Sequence, residues 1–320
     1  MILKFIKITS LKILRIGTCL SFFLAFNLEA NTCKDKENCQ VEASPEINTA
    51  IAMLVKMARD NEKFINMNDA NHFNAFIDQQ NPRATVVMCV DSRAHVHAFD
   101  EAPDNNVFKI ANLSGQYDSS SGSIKYGILY TKTPLLMVIG HDDCGAVKAR
   151  TNLKQTVFDE DIKEALKGVE VLDQTSMSEK DFQDKKKKKA FKEMVHRNTL
   201  YNIHRQVDKC LGATGGKEEG NVSFRKLVEN GKLIIVGAIY DIEDRGKQGH
   251  GKLRLINVWD AERARLSKGS SFIEGQAPTD RKVRKLREET KENPSLYLEE
   301  GVIEDAVSRL KKKINEARTL

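Results

Sequence analysis

The sequence predicts an α/β protein built on a mostly parallel central sheet with helices on both faces. Short runs such as Thr85-Val86-Val87-Met88-Cys89-Val90 and Leu135-Leu136-Met137-Val138-Ile139 are apolar without alternation, the pattern of strands covered on both sides. Segments of helical period lie between these runs, and strands alternating with helices build parallel sheets. Two of the predicted strands, moreover, lead straight into thiol, imidazole and carboxylate side chains.

Residues 1–30 carry Lys4, Lys7, Lys12 and Arg15 ahead of an apolar run from Ile16 to Leu28 and a small residue at Ala30. This is the layout of a secretory signal, and the run is too short to span a bilayer. The expectation is a chain exported across the inner membrane to the periplasm, with no stable membrane span after cleavage. A polar leader fills 31–44. Spacing of Ile51, Leu54, Val55, Met57, Phe64, Ile65, Phe73 and Phe76 predicts two N-terminal helices between Ile47 and Ala75. Strands follow at "TVVMCV", "NVFKIAN", "PLLMVIG" and "KLIIVGAIYDIED". Helices are predicted over "SGSIKYGILYTKT" and residues 192–211. The catalytic domain is expected over 45–259, with a charged insertion at 152–195. A charged extension over 260–320 contains one amphipathic helix, "GVIEDAVSRLKKKINEA".

Of 320 residues, 40% are hydrophobic, enough for one substantial core. The formal charge of +6 shrinks once the basic leader is removed, so no nucleic-acid partner is expected. The lysines at 185–189 read as a solvated helix face or a mobile loop rather than a binding patch. Cys33 and Cys39, six apart in "CKDKENC", fit a disulfide in an oxidising compartment, a second metal site being the other reading. Cys210 reads as a small apolar side chain packed on a helix.

Cys89 and Asp91 follow one strand, and His141 and Cys144 follow another. Sites in such sheets form at the carboxyl ends of strands. Two thiolates and an imidazole, with a fourth oxygen position, make a tetrahedral zinc set. Two unrelated core cysteines are the blander reading. His95 and His97 are rival ligands, but they lack a third partner and read as surface histidines.

These residues carry a resemblance. Cys89-x-Asp91-Ser92-Arg93 with His141-x-x-Cys144-Gly145 resembles the β-class carbonic anhydrases, and the likeness extends over about 45–258. It implies one Zn2+ per chain on Cys89, His141 and Cys144, with water, hydroxide or Asp91 in the fourth position. Asp91 would be held by Arg93 and accept a hydrogen bond from the zinc-bound hydroxide. Gln80, Phe108, Leu113 and Tyr126 would bind carbon dioxide or bicarbonate in a narrow pocket. The resemblance also implies a homodimer or larger homo-oligomer with pockets at the subunit interface. The implied activity is zinc-dependent, reversible hydration of carbon dioxide to bicarbonate and a proton. Because thiolates donate more charge than imidazoles, activity is expected to rise above neutral pH.

Several positions depart from the family. Ala111 stands for a common arginine, Leu113-Ser114 for Ala-Gly, Asp142 for a serine and Val86 for a tryptophan. They leave two alternatives open: hydrolysis of carbonyl sulfide or carbon disulfide, and a weakly catalytic, zinc-stabilised binding protein.

Overall fold

In the computed structural model, residues 44–154, 158–215, 222–266 and 300–318 are described. The predicted signal, Cys33 and Cys39 lie outside these residues. The chain divides into two compact units, Met1–Asn71 and His72–Leu320. The described part of the first is dominated by helix α1 (Pro45–Met67), which starts because Ser44 accepts from the Ile47 N–H (3.4 Å) and Pro45 opens its first turn. Ile47, Ile51, Leu54 and Val55 on it are exposed. A short helix α2 (Ala70–Asn74) follows.

The second unit contains a five-stranded sheet in the order β2-β1-β3-β4-β5. β1 (Ala84–Cys89), β2 (Val107–Asn112), β3 (Leu135–His141) and β4 (Ile234–Asp241) are parallel, as predicted. β5 (Lys252–Trp259) was not foreseen and runs antiparallel on the β4 edge. Neighbouring residues on each strand serve opposite faces, which explains the unbroken apolar runs. Val87, Val138, Ile235 and Ile239 face one core, while Val86, Met88, Ile139 and Ala238 face another with Ala94 and Val96.

Between β2 and β3 lies α3 (Ser121–Lys125), which widens into a π turn over Tyr126–Tyr130. After β3 come α4 (Gly145–Thr151) and α5 (Glu160–Leu166). The long helix α6 (Lys185–Leu211) begins seven residues earlier than predicted. Asp184 caps it, accepting from the Lys186 (2.8 Å) and Lys187 (3.2 Å) N–H groups, and the lysine run forms its exposed first turns. Ile203, Val207 and Cys210 of α6 are buried against the sheet. At Ile203 the approach is close: a Cβ on Gly140 would meet its Cδ1 at 2.6 Å, and one on Gly237 its Cγ2 at 2.9 Å.

Helix α7 (Phe224–Glu229) leads into β4, and α8 (Ala261–Leu266) and α9 (Glu300–Arg318) follow β5. The amphipathic tail helix packs on the sheet: Ala306, Val307 and Leu310 of α9 cover Val236 and Val258. Arg309 ties it to Asp260 (3.6 Å) and Glu262 (3.1 Å) beside α8, and also pairs with Asp305 of its own helix. No helix among the described residues is long and apolar enough to cross a membrane.

Candidate metal centre

Because β1 and β3 are parallel neighbours, their carboxyl ends deliver Cys89 and His141 to one place. A tight turn, with Asp143 at φ +57°, then brings Cys144 back as the residue preceding α4. Ligand atoms of Cys89, His141 and Cys144 all lie within 4.8 Å of one another, and the two sulfurs are 3.9 Å apart. All three side chains are buried. His141 Nδ1 donates to the Asp142 carbonyl (2.9 Å), while its Nε2 is buried without a hydrogen bond.

An orphaned imidazole nitrogen beside two thiols fits a soft-to-borderline cation such as zinc. The electrostatics agree. A hydrogen bond from Cys144, with help from His141, pushes the Cys89 thiol down to about 4. The same contact with Cys89, then burial, pushes the Cys144 thiol up. A bound cation would hold both sulfurs as thiolates.

Asp91 lies at the rim. Arg93 donates Nε to its Oδ1 (2.8 Å) and a terminal nitrogen to its Oδ2 (2.8 Å), and the Arg93 N–H adds a third bond to Oδ1 (2.9 Å). Hydrogen bonding to Arg93 outweighs burial and holds the Asp91 carboxyl well below the usual range. Its Oδ2 stands 3.7 Å from His141 Nε2, beside the cluster but turned to the arginine.

Of the predicted pocket residues, Leu113 alone packs beside Cys89 and Cys144. Gln80 and Tyr126 line a cleft of about 460 Å³ with Arg83, Tyr130, Lys132 and Pro134. Phe108 stacks on Tyr126 (5.8 Å between ring centroids), which stacks on Tyr130 (5.5 Å). This cleft lies at the amino ends of β1 and β3, so within one chain the two groups of predicted residues stand at opposite ends of the strands. His95 and His97 are exposed, as expected.

Sequence reasoning missed the polar shell behind the cluster. Asp142 is fully buried; its carboxylate pairs with His196 Nδ1 (3.0 Å) and accepts from the Glu243 N–H (3.3 Å). Asn202 reaches Ser114 from α6. The departures at 114 and 142 were the only signal available, since their partners lie 54 to 101 positions away.

A buried two-thiol, one-imidazole cluster at the carboxyl ends of the parallel strands of an α/β sheet could hold a metal ion. A family model described as carbonic anhydrase matches residues 84–248, just over half of the sequence. The chain belongs to the β-class carbonic anhydrase family. A carbonic anhydrase of Mycolicibacterium smegmatis is 38% identical over 71 residues, which cover 22% of this chain and 34% of that protein. One of Saccharomyces cerevisiae is 24% identical over 170 residues, 52% of this chain and 72% of the yeast protein. The match thus spans about a third of the mycobacterial relative's length. A tetrameric β-carbonic anhydrase of Sordaria macrospora superposes with a TM-score of 0.48 at 16% identity, covering 65% of this chain and 97% of that one.

Proposed function

We propose that this protein catalyses the reversible hydration of carbon dioxide to bicarbonate, using one zinc ion held by Cys89, His141 and Cys144. The convergence of these three donors beside the locked Asp91–Arg93 pair carries the reading. A bound zinc ion would supply Lewis acidity, lowering the pKa of water toward neutrality. Asp91 is too acidic to take the proton itself, so its role is to accept a hydrogen bond from the attacking water and fix the direction of its lone pair. Arg93 keeps that carboxylate ionised and keeps it from competing as a ligand. Leu113, packed beside the two cysteines, gives the site an apolar wall suited to a small neutral substrate.

The site is completed by a second copy. Gln80, Phe108 and Tyr126 lie a strand's length, roughly 17 Å, from the cysteines of their own chain. Two copies related by a twofold axis set the amino ends of one sheet against the carboxyl ends of the other. The Gln80 amide would then orient carbon dioxide or bicarbonate beside the partner's metal, and the ring stack would wall the pocket. Export by residues 1–30 would place the activity in the periplasm, and mass spectrometry of the N-terminus in a fractionated cell tests that placement.

Stopped-flow carbon dioxide hydration by the zinc-loaded protein at pH 7 and 8.5, beside Asp91→Asn, is the deciding experiment. Activity that rises with pH and drops in the variant is expected. No hydration at either pH, with one zinc per chain retained, would overturn the reading.

A further inference from the structure

Ser114 occupies a backbone position that disfavours any residue with a Cβ. Its φ is +66°, and Gly115 beside it has the same value. Strain of this kind persists where the surroundings impose it, and it clusters at functional sites. Here the residue is buried at 4% exposure, against both cysteines of the metal centre. Its N–H donates to Cys89 Sγ (3.3 Å), and its Oγ lies 3.7 Å from Cys144 Sγ.

The direction of the hydroxyl proton follows from Asn202. The Asn202 Oδ1 accepts from the Glu170 N–H (2.9 Å) and from Gln206 Nε2 (3.0 Å), which fixes the orientation of the amide. Its Nδ2 therefore faces Ser114 and donates to both the carbonyl and Oγ, each at 3.1 Å. With the hydroxyl oxygen serving as acceptor for Asn202, its own proton is free for the Cys144 sulfur once that sulfur is a thiolate.

We propose that Ser114 is a positioning residue that hydrogen-bonds both thiolates of the metal centre, through its N–H to Cys89 and its hydroxyl to Cys144. This rests on the reading of Cys89, His141 and Cys144 as metal ligands. A thiolate gives a metal more charge than an imidazole, and a hydrogen bond to sulfur withdraws part of that charge while fixing the sulfur in place. Glycine would suit the backbone better and would keep the bond to Cys89. It would lose the bond to Cys144, so the strained serine is explained by its hydroxyl.

The test uses the full chain with Co2+ in place of zinc, as wild type, Ser114→Ala and Ser114→Gly. Loss of the hydroxyl is expected to move the sulfur-to-cobalt charge-transfer bands to lower energy in both variants. Zinc transfer to a chromophoric chelator is expected to quicken about tenfold. Ser114→Gly is also expected to raise the melting temperature of the metal-free chain while weakening metal retention, a split that a packing role would not produce. Because that variant relieves the backbone, it keeps the test open if the alanine variant folds poorly. Bands present in wild type and unmoved in both variants would overturn the role of Ser114 alone. Absence of sulfur bands in wild type would overturn the metal reading with it.

Discussion

Arg93 grips both carboxylate oxygens of Asp91 at 2.8 Å each, while Asp91 Oδ2 remains 3.7 Å from His141 Nε2. On the proposed function, the guanidinium would decide whether this carboxylate orients water or binds the metal. Removing it by Arg93→Ala is expected to lower hydration about 10²-fold without loss of zinc, since a freed Asp91 is itself an oxygen ligand. Arg93→Lys should not restore activity, because a point charge cannot hold both oxygens. Stopped-flow rates and zinc analysis on the same samples check this. Zinc lost in proportion to activity would contradict it.

Metal uptake should release protons. In the metal-free chain the Cys144 thiol is held protonated by its contact with Cys89 and by burial, so a cation must displace that proton to recruit the second sulfur. Calorimetric titration with zinc in buffers of different ionisation enthalpy should show net proton release at pH 7. Cys144→Ala should retain well under one zinc per chain after dialysis against a chelator, whereas Cys210→Ala, whose thiol is buried in the main core, should retain the full complement.

Much of this site was legible because the strands announce themselves. Continuous apolar runs at 86–90 and 135–139 gave both the parallel sheet and the place where Cys89 and His141 would emerge. The edge strand β5 escaped notice because its burial is partial: Lys252 is exposed and Leu253 to Ile256 are only half-buried, so "KLRLINVW" lacks the unbroken apolar run that marked the other strands. The early start of α6 escaped for a related reason, since a lysine run signals solvent exposure and says nothing against a helix that Asp184 can cap. The pairings of Asp142 with His196 and of Ser114 with Asn202 depend on how α6 lies across the sheet, which no local pattern encodes.

In the proposed two-copy site, the separation of Gln80 and Tyr126 from the cysteines of their own chain would make activity depend on assembly. Gln80→Leu is expected to reduce kcat/KM about tenfold with zinc content unchanged, since it removes an amide and no ligand. Specific activity should fall when the protein is diluted below its dissociation constant, in step with the oligomer fraction seen by mass photometry. A monomer with full activity would refute the two-copy site.

His204 sets a limit on acid stability. Its Nδ1 accepts from Asn257 Nδ2 (3.0 Å), and Arg263 fixes that amide by donating to Asn257 Oδ1 (2.6 Å). Burial, reinforced by the Arg263 charge, pushes the imidazole down from 6.5 to about 4. A lowered folded-state value means the unfolded chain takes up the proton first. The contribution of His204 is therefore complete above pH 6.5 and lost as pH falls toward 4. The loss is on the order of 3 kcal/mol. The melting temperature of wild type should decline more steeply over this window than that of His204→Gln. Parallel curves would remove His204 as the cause.

The charged insertion is held to α6 by buried amides as well as by ion pairs such as Lys209–Glu170 (2.8 Å). Asn198 Oδ1 accepts from the N–H groups of Leu172 (2.9 Å) and Asp173 (3.1 Å), and its Nδ2 donates to Thr151 Oγ1 (2.8 Å) and the Asp173 carbonyl (2.8 Å). One helical turn on, Asn202 accepts from Glu170, and Gln206 donates to the Gly168 carbonyl (2.8 Å). Spacing of four residues places these three amides on one face of α6, so they form a ladder along residues 168–173. The side chains are buried, and removing one strands several backbone groups away from water. Asn198→Ala is expected to cost about 3 kcal/mol in urea unfolding with little change in the m-value. Neutralising Lys163 of α5 and Lys167 just after it, exposed lysines that pair with Glu160 and Glu164, should cost under about 1 kcal/mol. If the two substitutions cost the same, the amide ladder is not what secures the insertion.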